Sequence, residues 1–135
     1  AASLLDLFAG LGTFALSLGR HVKAVEGSRD AALALLATRR VAVEHRDLFR
    51  RPLSAAELNG AGAVVLDPPR AGAREQIVEL AKSDVPRLAY VSCNPATFAR
   101  DARALIDGGY RLQRITSVGQ FRWSTHVELA AAFLR

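Results

Sequence analysis

The sequence predicts an α/β domain: a mostly parallel β-sheet with helices on both faces and a final strand that runs the other way. Three observations predict it. Short apolar runs alternate with helix-like stretches along most of the chain, the rhythm of strand–helix–strand units. The first apolar run ends in Gly10-Leu11-Gly12, a turn that lets backbone approach a ligand closely. Two β runs close the chain with no clear helix between them, so the last strand is expected to pair antiparallel.

The elements follow in order. Residues 3–9 form an apolar run, and residues 13–20 read as a short helix. A second strand is expected at 22–26, then an alanine- and leucine-rich helix over 29–40 with Ser28 as N-cap. Residues 41–47 give a third strand, and 54–58 one or two helical turns. The fourth strand, 63–67, is stopped by Pro68-Pro69. Helices at 74–82 and 97–106 flank a fifth strand at 87–92, and Gly108-Gly109 ends the second of them. The two closing β runs are 110–118 and 127–134. No internal repeat or linker stands out.

Composition bounds the function. The 135 residues fit one domain, and half of them are apolar. No apolar run approaches the ~20 residues of a membrane span, and no secretory signal is expected before the first strand. One cysteine, Cys93, excludes an internal disulfide and argues against a zinc cluster. No metal is expected, and a reducing, cytoplasmic setting is. The net charge is +5, supplied by arginine rather than lysine, which suits an anionic partner such as RNA.

The glycine turn, Asp6-Leu7-Phe8-Ala9-Gly10-Leu11-Gly12-Thr13-Phe14, closes the first strand. Glu26 ends the second, where a carboxylate suits two ribose hydroxyls, and Asp47 ends the third, where it suits an adenine amino group. Strand ends of this kind converge on one crevice. The pattern favours S-adenosylmethionine. Gly10, Gly12 and Ala15 also satisfy the G-x-G-x-x-A dinucleotide fingerprint, which keeps a nicotinamide or flavin cofactor open.

Asp67-Pro68-Pro69-Arg70-Ala71-Gly72 follows the fourth strand. Two prolines fix φ and remove two backbone donors, a stiff exit that holds Asp67 and Arg70 beside the crevice. Methyltransferases acting on amino nitrogens often carry an aromatic where Arg70 stands. An arginine suits a phosphate or a base oxygen better than an exocyclic amine.

Ser92-Cys93-Asn94-Pro95 closes the fifth strand and opens a helix. Helix N-termini and nearby arginines favour a thiolate, with Arg70 the expected neighbour, and a thiolate at the mouth of a crevice is a nucleophile. Carbon 5 of uracil is too electron-poor to attack a methyl sulfonium directly. A thiolate adding to carbon 6 makes carbon 5 an enolate-like carbanion that takes the methyl group. A base must then remove the carbon 5 proton. Glu128 opens the final strand, where partial burial is expected to raise its pKa and make it a better base. His126 lies two residues earlier on the same strand face, and either residue could take the proton.

These motifs stand in one order: the glycine turn, Asp67-Pro68-Pro69-Arg70-Ala71-Gly72, Ser92-Cys93-Asn94-Pro95 with Arg100-Asp101, and Thr125-His126-Val127-Glu128. The chain resembles the RNA uracil-5-methyltransferase family, which includes the tRNA and 23S rRNA 5-methyluridine enzymes, over nearly its whole length. The resemblance implies a Rossmann-like class I methyltransferase fold of seven strands with the last antiparallel. It implies S-adenosylmethionine as cofactor and RNA, transfer or ribosomal, as substrate. By the resemblance Cys93 is the nucleophile, Glu128 the base, and Asp67 sits beside both methyl donor and target base. Asp6, Gly10, Gly12, Phe14, Glu26 and Asp47 belong to the cofactor site, Arg70 and His126 to the substrate. Thr13 stands where many relatives carry asparagine. Relatives also carry an N-terminal RNA-binding β-barrel, a central region and a glutamine-containing segment before the first strand. Residues 1–135 therefore read as the catalytic domain of a longer protein. The cysteines that hold an iron–sulfur cluster in some relatives belong to those other regions. Two further readings remain: a nicotinamide-binding oxidoreductase domain, and a non-catalytic RNA-binding domain that keeps the fold.

Overall fold

A computed structural model describes residues 4–10, 22–120 and 127–135; for residues 118–120 and 127 only the backbone is described. The helix expected at 13–20 lies outside these residues. The strands are β1 (Leu4–Leu7), β2 (Val22–Glu26), β3 (Ala42–His45), β4 (Ala63–Leu66), β5 (Arg87–Ser92), β6 (Arg111–Gln120) and β7 (Val127–Leu134). They form one seven-stranded sheet in the order β3-β2-β1-β4-β5-β7-β6. β1 pairs parallel with β2 and β4, β2 with β3, and β4 with β5. β7 is inserted antiparallel between β5 and β6. The reversed final strand is therefore observed, and the sheet is the expected α/β arrangement.

The strand order has a functional consequence. It reverses between β1 and β4, the point at which an open α/β sheet leaves a crevice beyond its carboxyl ends. Because β7 runs backwards, its first residues lie at that same edge. Ser92 pairs with Leu129, so Cys93, the residue after Ser92, and Glu128, the residue before Leu129, both fall at that edge.

The helices are α1 (Arg29–Ala37), α2 (Ala55–Leu58), α3 (Arg74–Lys82) and α4 (Pro95–Asp107). Three of these four starts have a side-chain cap, and α3, which follows Ala73, has none. Ser28 Oγ accepts from Ala31 N at 3.3 Å. Ser54 and Glu57 form a reciprocal capping box. Asn94 Oδ1 accepts from Ala96 N at 3.0 Å with Pro95 in the first turn, which starts α4 two residues before the expected 97. α1 stops short of the expected 40 because Thr38 Oγ1 donates to Leu35 O at 2.7 Å and Arg39 turns to φ +56°. Gly108 ends α4 against α3, where a Cβ would lie 2.7 Å from Ala81 Cβ.

Apolar residues alternate between the two faces of the sheet. Leu7, Leu66, Tyr90 and Phe133 join Ile77 and Leu80 of α3 and Phe98 and Leu105 of α4 in the larger cluster. Val22 and Ala24 pack with Leu35 of α1 in the smaller one on the other face. Gln76 is the polar exception in α3. It is 1% exposed, and its amide accepts from Leu53 N at 2.9 Å and donates to Leu53 O at 3.0 Å. That pairing satisfies a loop backbone that β-sheet or helix would otherwise have to satisfy. No helix among the described residues is long and apolar enough to cross a membrane.

Candidate active site

The ends of β1, β2, β3 and β4 enclose a cavity of about 480 Å³. Three carboxylates line it, Glu26, Asp47 and Asp67, together with Phe8, Phe49 and Pro68. Among the described lining residues there is no lysine or arginine.

Glu26 is fixed by backbone. Its Oε1 accepts from Gly10 N at 3.0 Å and its Oε2 from Ser28 N at 2.5 Å. The carboxylate thereby ties the glycine turn after β1 to the exit of β2. A carboxylate offers about four lone-pair sites, so acceptor capacity remains for hydroxyls of a ligand. Gly10 sits at φ +59°, a backbone conformation that costs a side-chain-bearing residue. Phe8 is also left-handed, at φ +61°. A bulky residue rarely adopts that region, and here it ends β1 and turns the Phe8 ring onto Phe49, 5.5 Å between centroids.

Asp47 is presented by a braced loop. Its Oδ1 accepts from Phe49 N at 2.9 Å. The residue before it, Arg46, is bidentate to Glu57 at 2.8 and 3.1 Å, the fork-on-fork geometry that favours arginine. Arg46 also donates to Arg51 O and Pro52 O at 2.6 and 2.8 Å. Glu57 is held down to about 2 by Arg46 and by the Ser54 backbone N–H. The guanidinium thus closes the loop 46–57 from its centre.

Asp67 is open to water on one side, but the crevice walls displace solvent from the rest of it. That desolvation, and after it the charge of Glu128, holds its carboxyl above the usual carboxylate range. The coupling places Glu128 within electrostatic reach of Asp67 across the mouth of β5. Cys93 is part-buried at the next strand end, immediately before the Asn94 cap of α4.

The structure thus brings Gly10, Glu26, Asp47, Asp67, Cys93 and Glu128 to one sheet edge. Gly12, Phe14 and His126 lie outside the described residues. Asp6 is fully buried within β1 and is not among the described residues that line the cavity. Arg70 stands differently from expectation. Arg70 meets the Cys93 loop through its backbone rather than its guanidinium. Its carbonyl accepts from Asn94 Nδ2 and Thr97 Oγ1, both at 3.0 Å, while its side chain is exposed.

Sequence reasoning missed Phe8 and Phe49 as walls. The one signal was Phe49 standing two residues after Asp47 in an otherwise basic loop. It also gave no role to Arg100 and Asp101. Asp101 is 1% exposed and accepts from Ala73 N at 2.9 Å and Tyr90 Oη at 2.5 Å. Burial and the Asp101 carboxylate push the Tyr90 phenol far up, so it remains a donor. Among the described residues no group of three or more His, Cys, Asp or Glu is placed to hold a metal ion.

Comparison with known proteins bears on the family and the fold. The family model for tRNA (uracil-5-)-methyltransferase matches residues 39–135. An uncharacterized RNA methyltransferase of Zymomonas mobilis is 56% identical over 96% of this chain and 34% of its own length. The 23S rRNA (uracil(1939)-C(5))-methyltransferase RlmD of Pseudomonas fluorescens is 47% identical over 96% of this chain and 31% of its own. The chain therefore spans about a third of the length of the curated relatives it matches. Among solved structures, an S-adenosylmethionine-dependent methyltransferase from Mesorhizobium loti superposes with TM-score 0.72 at 11% identity, covering 98% of this chain and 90% of that one. Magnesium protoporphyrin IX methyltransferase from Synechocystis, with bound SAM, gives 0.71 at 15% identity, covering 98% and 69%. At such identities the likeness is one of fold, the class I methyltransferase fold. The sequence matches go further: this chain belongs to the tRNA (uracil-5-)-methyltransferase family.

Proposed function

We propose that the chain carries out methyl transfer from S-adenosylmethionine to carbon 5 of a uridine in ribosomal or transfer RNA, with Cys93 as nucleophile and Glu128 as base. The observation that carries the reading is convergence at one sheet edge. An acid-lined cavity, a part-buried thiol and a carboxylate on the reversed strand meet there.

The cavity fits the cofactor on chemistry. Glu26 retains acceptor sites for ribose hydroxyls, Asp47 suits an adenine amino group, and Phe49, 41% exposed, lines the cavity with them. The cofactor supplies a methyl group on a cationic sulfonium, and three carboxylates in a chain of net charge +5 single out this cavity for a cation. A dinucleotide pyrophosphate would bring negative charge to the same acids, which weighs against the nicotinamide reading.

The residues then have distinct tasks. The Cys93 thiolate forms a bond to carbon 6 of the uracil, and the carbon 5–carbon 6 π pair moves toward the carbon 4 carbonyl. Carbon 5 takes the methyl group that the bound sulfonium would supply, and the sulfur–methyl bond breaks to leave neutral S-adenosylhomocysteine. Glu128 takes the proton that carbon 5 still carries, the π bond re-forms, and the carbon 6–sulfur bond breaks to return the thiolate. Asp67 lies between the cavity and Glu128, where its carboxylate orients donor and base. A non-catalytic RNA-binding domain would have no use for a thiol and a carboxylate at the same sheet edge.

The test has two arms on the full-length protein. S-Adenosylhomocysteine at ~100 times its dissociation constant should stabilise the fold by about 2.7 kcal/mol, and NADH should not. RNA carrying 5-fluorouridine should become covalently attached through Cys93, because fluorine blocks the proton-removal step. Stabilisation by NADH alone, or an adduct that forms equally with Cys93→Ala, would overturn the reading.

A further inference from the structure

The two loops that carry the chemistry come from different strands, β4 and β5, and a set of side chains from the first turns of α4 binds them together. Asn94 Nδ2 and Thr97 Oγ1 both donate to Arg70 O at 3.0 Å. Arg100 Nη2 donates to Ala71 O at 3.1 Å. Asp101 Oδ2 accepts from Ala73 N at 2.9 Å. Three successive stretches of the Asp67–Ala73 backbone are thus held by one helix face. Gly72 suits the same junction: it lies at φ +80°, and a Cβ there would sit 2.7 Å from Arg100 Nη2 and 2.9 Å from Asp101 Oδ2.

Asp101 is the centre of the set. Its second oxygen accepts from Arg100 Nε and Nη2, both at 3.2 Å, and Tyr90 Oη from β5 donates to Oδ2. A carboxylate 1% exposed is costly to bury unless charged and neutral donors satisfy it. Here they do, and each donor belongs either to β5, to α4 or to the loop after β4. None of Asn94, Thr97, Arg100 and Asp101 lines the ligand cavity.

We infer that Asn94, Thr97, Arg100 and Asp101 form a clamp that positions the Asp67–Arg70 loop against Cys93. The inference rests on the methyltransfer reading above. Prolines 68 and 69 stiffen the near end of the loop and the clamp fixes its far end. The chemistry requires that geometry, because a misplacement of about 1 Å can cost ~10²-fold in rate. These are positioning residues: none is asked to touch donor or uracil.

The test uses two variants of the full-length protein. Asn94→Asp with Thr97→Val is the surface variant; the aspartate keeps the oxygen that caps α4 but loses the donor to Arg70 O. Asp101→Asn is the buried one, with a risk of misfolding that the surface variant does not share. The first readout is the alkylation rate of Cys93, followed on its own peptide by mass spectrometry with saturating S-adenosylhomocysteine present. The clamp predicts at least a fivefold change in that rate for the surface variant, with S-adenosylhomocysteine affinity within twofold of wild type. The second is steady-state methylation, where kcat should fall at least tenfold while KM for the methyl donor holds within twofold. Unchanged Cys93 alkylation together with unchanged kcat in the surface variant overturns the clamp. So does a kcat loss matched by an equal loss of cofactor affinity, which is the mark of general unfolding. Wild-type protein that shows no Cys93-dependent methylation overturns the functional reading instead, and the alkylation readout then decides the clamp by itself.

Discussion

Asp67 at the exit of β4 and Glu128 at the head of β7 are coupled across one crevice: burial, and then the charge of Glu128, hold the Asp67 carboxyl above its usual range. The two lie 61 positions apart in sequence, and the reversal of β7 is what brings them together. The sign of the effect on stability follows. A carboxyl whose folded pKa is raised binds its proton more tightly in the folded state. Its penalty is absent below the unfolded pKa and fully present above the folded one. Asp67→Asn should therefore raise Tm at pH 7, with the gain vanishing as pH falls below the usual aspartate range. The same variant should bind S-adenosylmethionine more weakly and methylate slowly, the trade between site chemistry and stability common at active sites. Thermal melts from pH 3 to 8, with and without cofactor, check both halves.

Glu26 should behave oppositely. Its two oxygens hold Gly10 N and Ser28 N, so Glu26→Ala removes two charge-assisted bonds as well as the ligand's acceptor. Hydrogen bonds to a charged group contribute about 1.5–3 kcal/mol each. S-Adenosylhomocysteine affinity should fall by roughly 10–100-fold and Tm should fall too, measured by calorimetric titration and melting.

Glu128→Gln should separate the two halves of the reaction. Adduct formation through Cys93 should persist while its breakdown slows by ~10²-fold or more, the range typical of general-base loss. RNA-linked protein should accumulate on a denaturing gel with ordinary uridine RNA. Rapid turnover without accumulation would move the base role to another group, and His126 is the next to test.

Gln76→Leu probes the fold apart from the site. It strips both partners from Leu53 N and O in a buried setting, and each unsatisfied backbone group costs about 1–3 kcal/mol. A loss of roughly 2–4 kcal/mol in denaturant unfolding is expected, with Cys93 chemistry unchanged at low temperature.

Much of the fold was legible because its signals are local. Alternating apolar runs set β2, α3, β5 and β7 to the residue, and Asn94-Pro95 carried a helix start that a reading from 97 overlooked. Glycine and proline marked the site loops for the same reason: φ restrictions act on one residue at a time. What sequence did not disclose depends on distance in space. Nothing about Arg46 announces that it will clasp Glu57 across a loop, and nothing about Arg100-Asp101 announces the backbone of residues 71 and 73. The left-handed turn at Phe8, which brings its ring onto Phe49, is fixed by the packed surroundings and not by its own preference. Asp6 shows the same limit: its place in the motif does not announce that the strand buries it completely.

The most direct test of the central claim is tritium release from RNA labelled at carbon 5 of uridine, in the presence of S-adenosylmethionine, comparing the full-length protein with its Cys93→Ala variant. The account predicts release that requires both the cofactor and Cys93. Release by the Cys93→Ala variant at the wild-type rate, or methylation of the RNA with no tritium released, would contradict it.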